Sequence, residues 1–133
     1  AILGFSFKAD TNDTRESPAI LICKELLNEG AILYIHDPQV TFSQIEFELG
    51  KTGQENSSNW FLSKELEKSF YNADAIIILT EWDIYKEIDW KHVSKMVRSP
   101  AWIFDTRKIV DPKLIKDCEF NFWQVGLGDK INN

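Results

Sequence analysis

The stretch FKADTNDTRESPA, residues 7–19, sets Lys8, Asp10, Asp13, Arg15 and Glu16 close together, and Arg107 stands in FDTRK far along the chain. Lysine brings a compact point charge and arginine a planar fork that meets two oxygens at once, so both suit phosphate or carboxylate ligands. The chain as a whole is acidic, with a formal net charge of −6. It lacks the clustered positive charge that draws a protein to nucleic acid or to an acidic membrane surface, and neither is expected as a partner. Any anion must therefore be held by a few local cations. The competing reading is a solvated loop, with Lys8 paired to Asp10 and Arg15 bracing Asp10 or Asp13. Exposed pairs of that kind add little stability. Asp10 and Asp13 themselves are read as shaping the loop and starting the helix after it.

Other chemistry finds less support. Cys23 and Cys118 form no CxxC and no disulfide framework, and His36 and His92 share no ligand spacing with them, so no metal site is assigned. Cys23 falls on the apolar stripe of a helix, where an inert packed thiol is expected. Glu81 and Asp83 stand at i, i+2, a spacing that splits a carboxylate pair across a helix or loop. No catalytic residue is assigned to this chain. Two Asn-x-Ser/Thr matches, at Asn12 and Asn56, matter only on a secreted protein, and no signal peptide is recognised. Apolar runs are too short to span a bilayer, and a cytoplasmic location is expected. The chain opens on AILGFSF without an initial Met, which reads as an excised domain.

The elements that position these residues follow from alternating apolar runs and helical patterns. AILGFSF (1–7) is predicted as a first strand. Ser17 as N-cap and Pro18 as first helical residue open a helix with Ile20, Cys23 and Leu27 on one face and Gly30 at its end. AILYIHD (31–37) is a second strand. TFSQIEFEL is either a helical turn or an edge strand, and GKTGQENSSN is an exposed loop. A helix with Leu62, Leu66 and Phe70 on one face leads to ADAIIILT (73–80), whose continuous isoleucine run predicts a strand buried on both faces. One or two helices follow in EWDIYKEIDWKHVSKMV. AWIFD (101–105) is a strand, PKLIKDC (112–118) a short helix and FWQVGLG (122–128) a last strand. The pattern predicts one three-layer α/β/α, Rossmann-like domain over residues 1–133, with a mainly parallel sheet of about five or six strands.

In such sheets ligands bind beyond the carboxyl ends of the strands. FKADTNDTRES, TEWD and FDTRK all fall there, which gathers Lys8, Arg15 and Arg107 on one rim suited to a phosphate or pyrophosphate. The first strand–helix junction lacks G-x-G-x-x-G, so its backbone is not built to approach a pyrophosphate. Asp37, at the end of the second strand, is open to two readings: a ribose-binding acid or a turn and capping residue.

The motifs GFSFKADTNDTRESPA, YIHDP, ADAIIILTEWDIY and WIFDTRKIVD resemble, in order, those of the UDP-glucose/GDP-mannose dehydrogenase family, and they do so along nearly the whole chain. TEW is most similar to the branch acting on UDP-glucose. The resemblance implies the C-terminal, UDP-binding domain of a three-part, NAD-dependent enzyme. Its N-terminal domain would bind NAD, and the full-length enzyme would be a homo-oligomer. It implies that Phe7, Lys8 and Arg107 contact the UDP-sugar and that Arg15 reaches across the interdomain cleft to NAD. The reacting cysteine of the family matches neither Cys23 nor Cys118, so this chain alone is expected to be inactive. Lys108 departs from the family, which often has Asn or Arg there. The same domain of a GDP-mannose or UDP-N-acetylmannosamine dehydrogenase, and a non-catalytic nucleotide-binding or interaction module, stay open as alternatives.

Overall fold

The computed structural model describes residues 1–52 and 59–127. Six strands make one sheet in the order β3-β2-β1-β4-β5-β6, every neighbouring pair parallel. They are β1 (Ile2–Leu3), β2 (Leu33–His36), β3 (Trp60–Leu62), β4 (Ala75–Ile78), β5 (Ala101–Asp105) and β6 (Phe120–Gln124). Between them run α1 (Pro18–Asn28), α2 (Phe42–Leu49), α3 (Asp83–Lys86), α4 (Trp90–Val93), α5 (Pro112–Ile115) and a 3-10 helix, Leu66–Ser69. This is the predicted Rossmann-like architecture. The strand order reverses between β1 and β4, and the crevice there is where such a sheet takes a ligand.

Local chemistry explains the boundaries. The Ser17 side chain accepts the Ala19 N–H, with Pro18 at the first turn, and Gly30 follows the helix at φ +89°. The segment left open between turn and edge strand is α2. Thr41 and Gln44 close a capping box at its start, each side chain accepting the other's backbone N–H. Leu62 lies in β3, so the expected helix through Leu62, Leu66 and Phe70 contracts to the single 3-10 turn. The first strand is also shorter than AILGFSF predicts. Gly4 turns the chain out of β1 at φ +97°, where a Cβ would stand 2.3 Å from Thr80 Cβ. Part of the polar 50–59 loop, with the Asn56 motif, lies outside the described residues, as does Gly128 of the expected last strand.

Two cores form on opposite faces. α1 and α2 pack Ala19, Cys23, Ile45 and Leu49 against Ile2, Leu33, Ile35 and Trp60. On the other face Tyr85, Trp90, Val93 and Ile115 cover Leu3, Ile76, Ile78 and Ile103. The two residues of β1 thus feed different cores. The isoleucine run is not buried on both sides as predicted. Ile76 and Ile78 are buried, whereas Ala75 and Ile77 are half-buried, because α1 and α2 lie over the β1–β3 half of that face. Trp102 and Trp123, with Phe104 between them, stand along the remaining half.

A cationic rim at the strand ends

The loop after β1 carries most of the candidate residues, and its neighbours hold it in shape. Phe7 N donates to Asp13 O at 2.7 Å, closing the loop on itself. Thr80 Oγ1 donates to Ser6 O at 2.9 Å, and Gln44 Nε2 donates to Asn12 O at 2.8 Å. Asp10 and Glu16 take left-handed backbone, φ 63° and 58°. For Asp10 this matches its predicted role in shaping the loop.

Asp37 settles between its two readings. Its Oδ2 accepts the Phe5 and Ser6 N–H groups at 2.8 and 3.0 Å and the Trp82 indole N–H at 3.3 Å. Its Oδ1 accepts from Gln39 and Val40 N. Five donors occupy a buried carboxylate, so it builds the turn and leaves nothing for a ribose. Asp105 does the same work after β5. It accepts from the backbone N–H groups of Arg107, Ile109 and Val110 and from Gln124 Nε2. Lys108 sits in that turn at φ 59°.

The four predicted site residues are held differently. The Lys8 ammonium makes no ion pair among the described residues, and the expected pair with Asp10 does not form. Arg107 is anchored: Nε donates to Leu79 O at 3.0 Å and Nη2 to Phe7 O at 3.3 Å, while Nη1 makes no hydrogen bond among the described residues. Phe7 is 45% exposed. Arg15 is braced by Asp13, as one reading allowed. Its Nε and Nη2 donate to the two carboxylate oxygens at 3.0 and 2.9 Å, although its side chain is 87% exposed. Hydrogen bonds from the Arg15 side chain and backbone hold the Asp13 carboxyl at about 2.

Phe7, Asp13, Arg15 and Glu16 line one shallow cleft of about 350 Å³, and Asp10, Thr11, Asn12, Gln39 and Trp82 line another of about 510 Å³. Glu81, which sequence reasoning considered only as half of a carboxylate pair, instead enters the rim. Its Oε1 accepts the Ala9 N–H at 3.1 Å and its Oε2 lies 3.4 Å from Arg107 Nε, whereas Asp83 turns away to pair with Lys86. Burial raises the Glu81 carboxyl, but the Ala9 and Glu81 backbone N–H groups, Arg107 and Lys86 together leave it below its ordinary value. Nothing in the spacing of TEWD signals this contact, because its partners come from distant segments. Among the described residues no group of three or more His, Cys, Asp and Glu could hold a metal, and no helix is long and apolar enough to cross a membrane. Cys23 is buried, and burial pushes its thiol up to about 12.

A doubly wound parallel sheet with exposed cations over its switch point defines a nucleotide-binding type of domain. Residues 1–112 match the model of the UDP-glucose/GDP-mannose dehydrogenase family, UDP binding domain, and the chain belongs to that family. It is 44% identical to UDP-glucose 6-dehydrogenase of Mus musculus over an alignment covering 100% of this chain and 28% of the relative. It is 39% identical to UDP-glucose 6-dehydrogenase 3 of Oryza sativa subsp. japonica, covering 95% and 29%. The chain thus spans less than a third of the length of these curated relatives. Among solved structures, the NDP-N-acetyl-D-galactosaminuronic acid dehydrogenase of Methanosarcina mazei Go1 superposes with a TM-score of 0.76 at 27% identity, covering 95% of this chain and 24% of that one.

Proposed function

We propose that this chain is the UDP-sugar-binding part of a longer, NAD-dependent UDP-glucose 6-dehydrogenase, and that it holds the nucleotide while other parts of the polypeptide carry the oxidation. The observation that carries the reading is the division of the rim. Among the described residues the Lys8 ammonium makes no ion pair and Arg107 Nη1 no hydrogen bond, and they follow β1 and β5, the two strands that flank β4 beside the point where the sheet order reverses. A diphosphate offers that arrangement one oxygen cluster for a point charge and one for a fork. Phe7, beside Lys8, supplies an exposed ring.

The contribution of this part is positioning. Contacts to the diphosphate, remote from the sugar hydroxyl that reacts, fix the substrate without taking part in bond making. When bound, NAD would supply the hydride acceptor, and the described residues of this chain do not build a cradle for it. The β1 turn has Phe7 and Lys8 where a dinucleotide loop needs glycines, and the Cβ space of Gly4 is filled by Thr80. We assign Arg15 alone a contact toward NAD, made across a domain boundary. Cys23 is too buried, and its thiol held too far up, to serve as a nucleophile. The relatives' names support UDP-glucose as substrate, and the whole enzyme is proposed to be a cytoplasmic homo-oligomer.

Titration of the isotope-labelled 133-residue chain with UDP, GDP and NAD, followed by amide NMR, tests this. UDP should move the Phe7–Ala9 and Arg107 resonances and bind tighter than GDP, and the chain should generate no NADH from UDP-glucose. Equal binding of UDP and GDP, or shifts confined to other strand ends, would remove the assignment.

A further inference from the structure

Lys8 is the rim cation whose side chain makes no ion pair among the described residues, yet the backbone around it is held on both sides. The carbonyl of the residue before it, Phe7, accepts from Arg107 Nη2 at 3.3 Å. The amide of the residue after it, Ala9, donates to Glu81 Oε1 at 3.1 Å. Its own carbonyl accepts from Ser6 Oγ at 3.0 Å. Glu81 Oε2 and Arg107 Nε, 3.4 Å apart, close these contacts into a ring that joins the ends of β1, β4 and β5. Oε2 is buried and accepts no hydrogen bond among the described residues. We infer that Glu81 is a positioning residue, which fixes where Lys8 presents its ammonium by gripping the Ala9 amide. This rests on the reading of the rim as a UDP site.

The alternative is electrostatic. A carboxylate on the edge of an anion site repels phosphate, so a Glu81 with no positioning role would weaken UDP binding, and its removal would tighten it. The two accounts predict opposite signs. They also separate reach from charge. Gln keeps an acceptor at the same length and loses the charge, whereas Asp keeps the charge and falls a methylene short of the Ala9 amide.

The test is UDP affinity of the 133-residue chain by NMR titration, with the amide spectrum of each variant confirming its fold. Positioning predicts that Glu81→Ala and Glu81→Asp each weaken UDP about tenfold, while Glu81→Gln stays within about twofold of the parent. In a Lys8→Ala background the Glu81→Ala penalty should shrink below about twofold, because the residue it positions is gone. Tighter or unchanged UDP binding in Glu81→Ala overturns the inference. So does a full penalty that persists without Lys8, or Glu81→Gln behaving like Glu81→Ala. Should Glu81→Ala fail to fold, the Asp and Gln variants decide the same question. A parent chain that does not bind UDP overturns the site reading and this inference together; a parent that binds with Glu81 variants unaffected overturns the inference alone.

Discussion

The loop after β1 and the turn after β5 deliver cations to the same rim and hold them in opposite ways. After β5 the turn is wound around a buried carboxylate, Asp105, and its arginine is tied to Leu79 O and Phe7 O. After β1 the loop is long and outward-facing, and Lys8 keeps an ammonium with no ion-pair partner among the described residues. Arg15 in the same loop is exposed yet occupied by Asp13. The buried charges here therefore build the loops, and of the two cations in the β1 loop Lys8 is the one left without an ion pair among the described residues. The β5 turn is where stability should concentrate, and the β1 loop is where binding should.

The sharpest way to break that contrast is at its buried end. Asp105→Asn places an amide among four donors, and we expect a loss of about 3 kcal/mol or more in urea unfolding. A loss under about 1 kcal/mol would mean that the turn does not depend on its carboxylate. Lys8→Ala should do the reverse, leaving stability within about 0.5 kcal/mol and weakening UDP about tenfold. Arg15→Ala comes next: with its fork already on Asp13, UDP affinity of the chain should stay within about twofold. Differential alkylation sharpens the contrast in another place. Half-exposed Cys118 should label in the native protein and Cys23, buried with its thiol near 12, should not until the chain unfolds. The smallest effect concerns His36, which burial holds below its ordinary value although Asp37 pulls it up. The unfolded chain then takes up more protons below pH 6.5, so stability should fall as pH drops through that point. His36→Gln should flatten that part of a thermal-melt profile.

Most of the fold was legible because its signals are local. Ser17-Pro18, Gly30 and the run AWIFD each specify a boundary through a side chain and its immediate neighbours, and AWIFD matches β5 residue for residue. Thr41 and Gln44 carried a capping box that the open reading of residues 39–62 passed over. β1 was harder, since AILGFSF has the composition of a long strand. It ends after Leu3 because Gly4 turns out of it at φ +97°, with Thr80, from the segment after β4, filling the space a Cβ would need. The site divides in the same way. Lys8, Arg15 and Arg107 were readable as strand-end cations. The work of Glu81 and Thr80 was not, because each acts on backbone groups brought near by the sheet order; that of Asp105 went unread although its backbone donors lie within five residues of it.

The two-residue β1 has a consequence for how the molecule comes apart. Ile2 belongs to one core and Leu3 to the other, and the strand that carries them lies between β2 and β4 at the middle of the sheet. Neither half of the domain has a floor of its own once that strand leaves. Melting of α1 and melting of the β4–β6 half should therefore occur at one denaturant concentration, as a single step, with the amides paired to β1 the last to exchange with solvent.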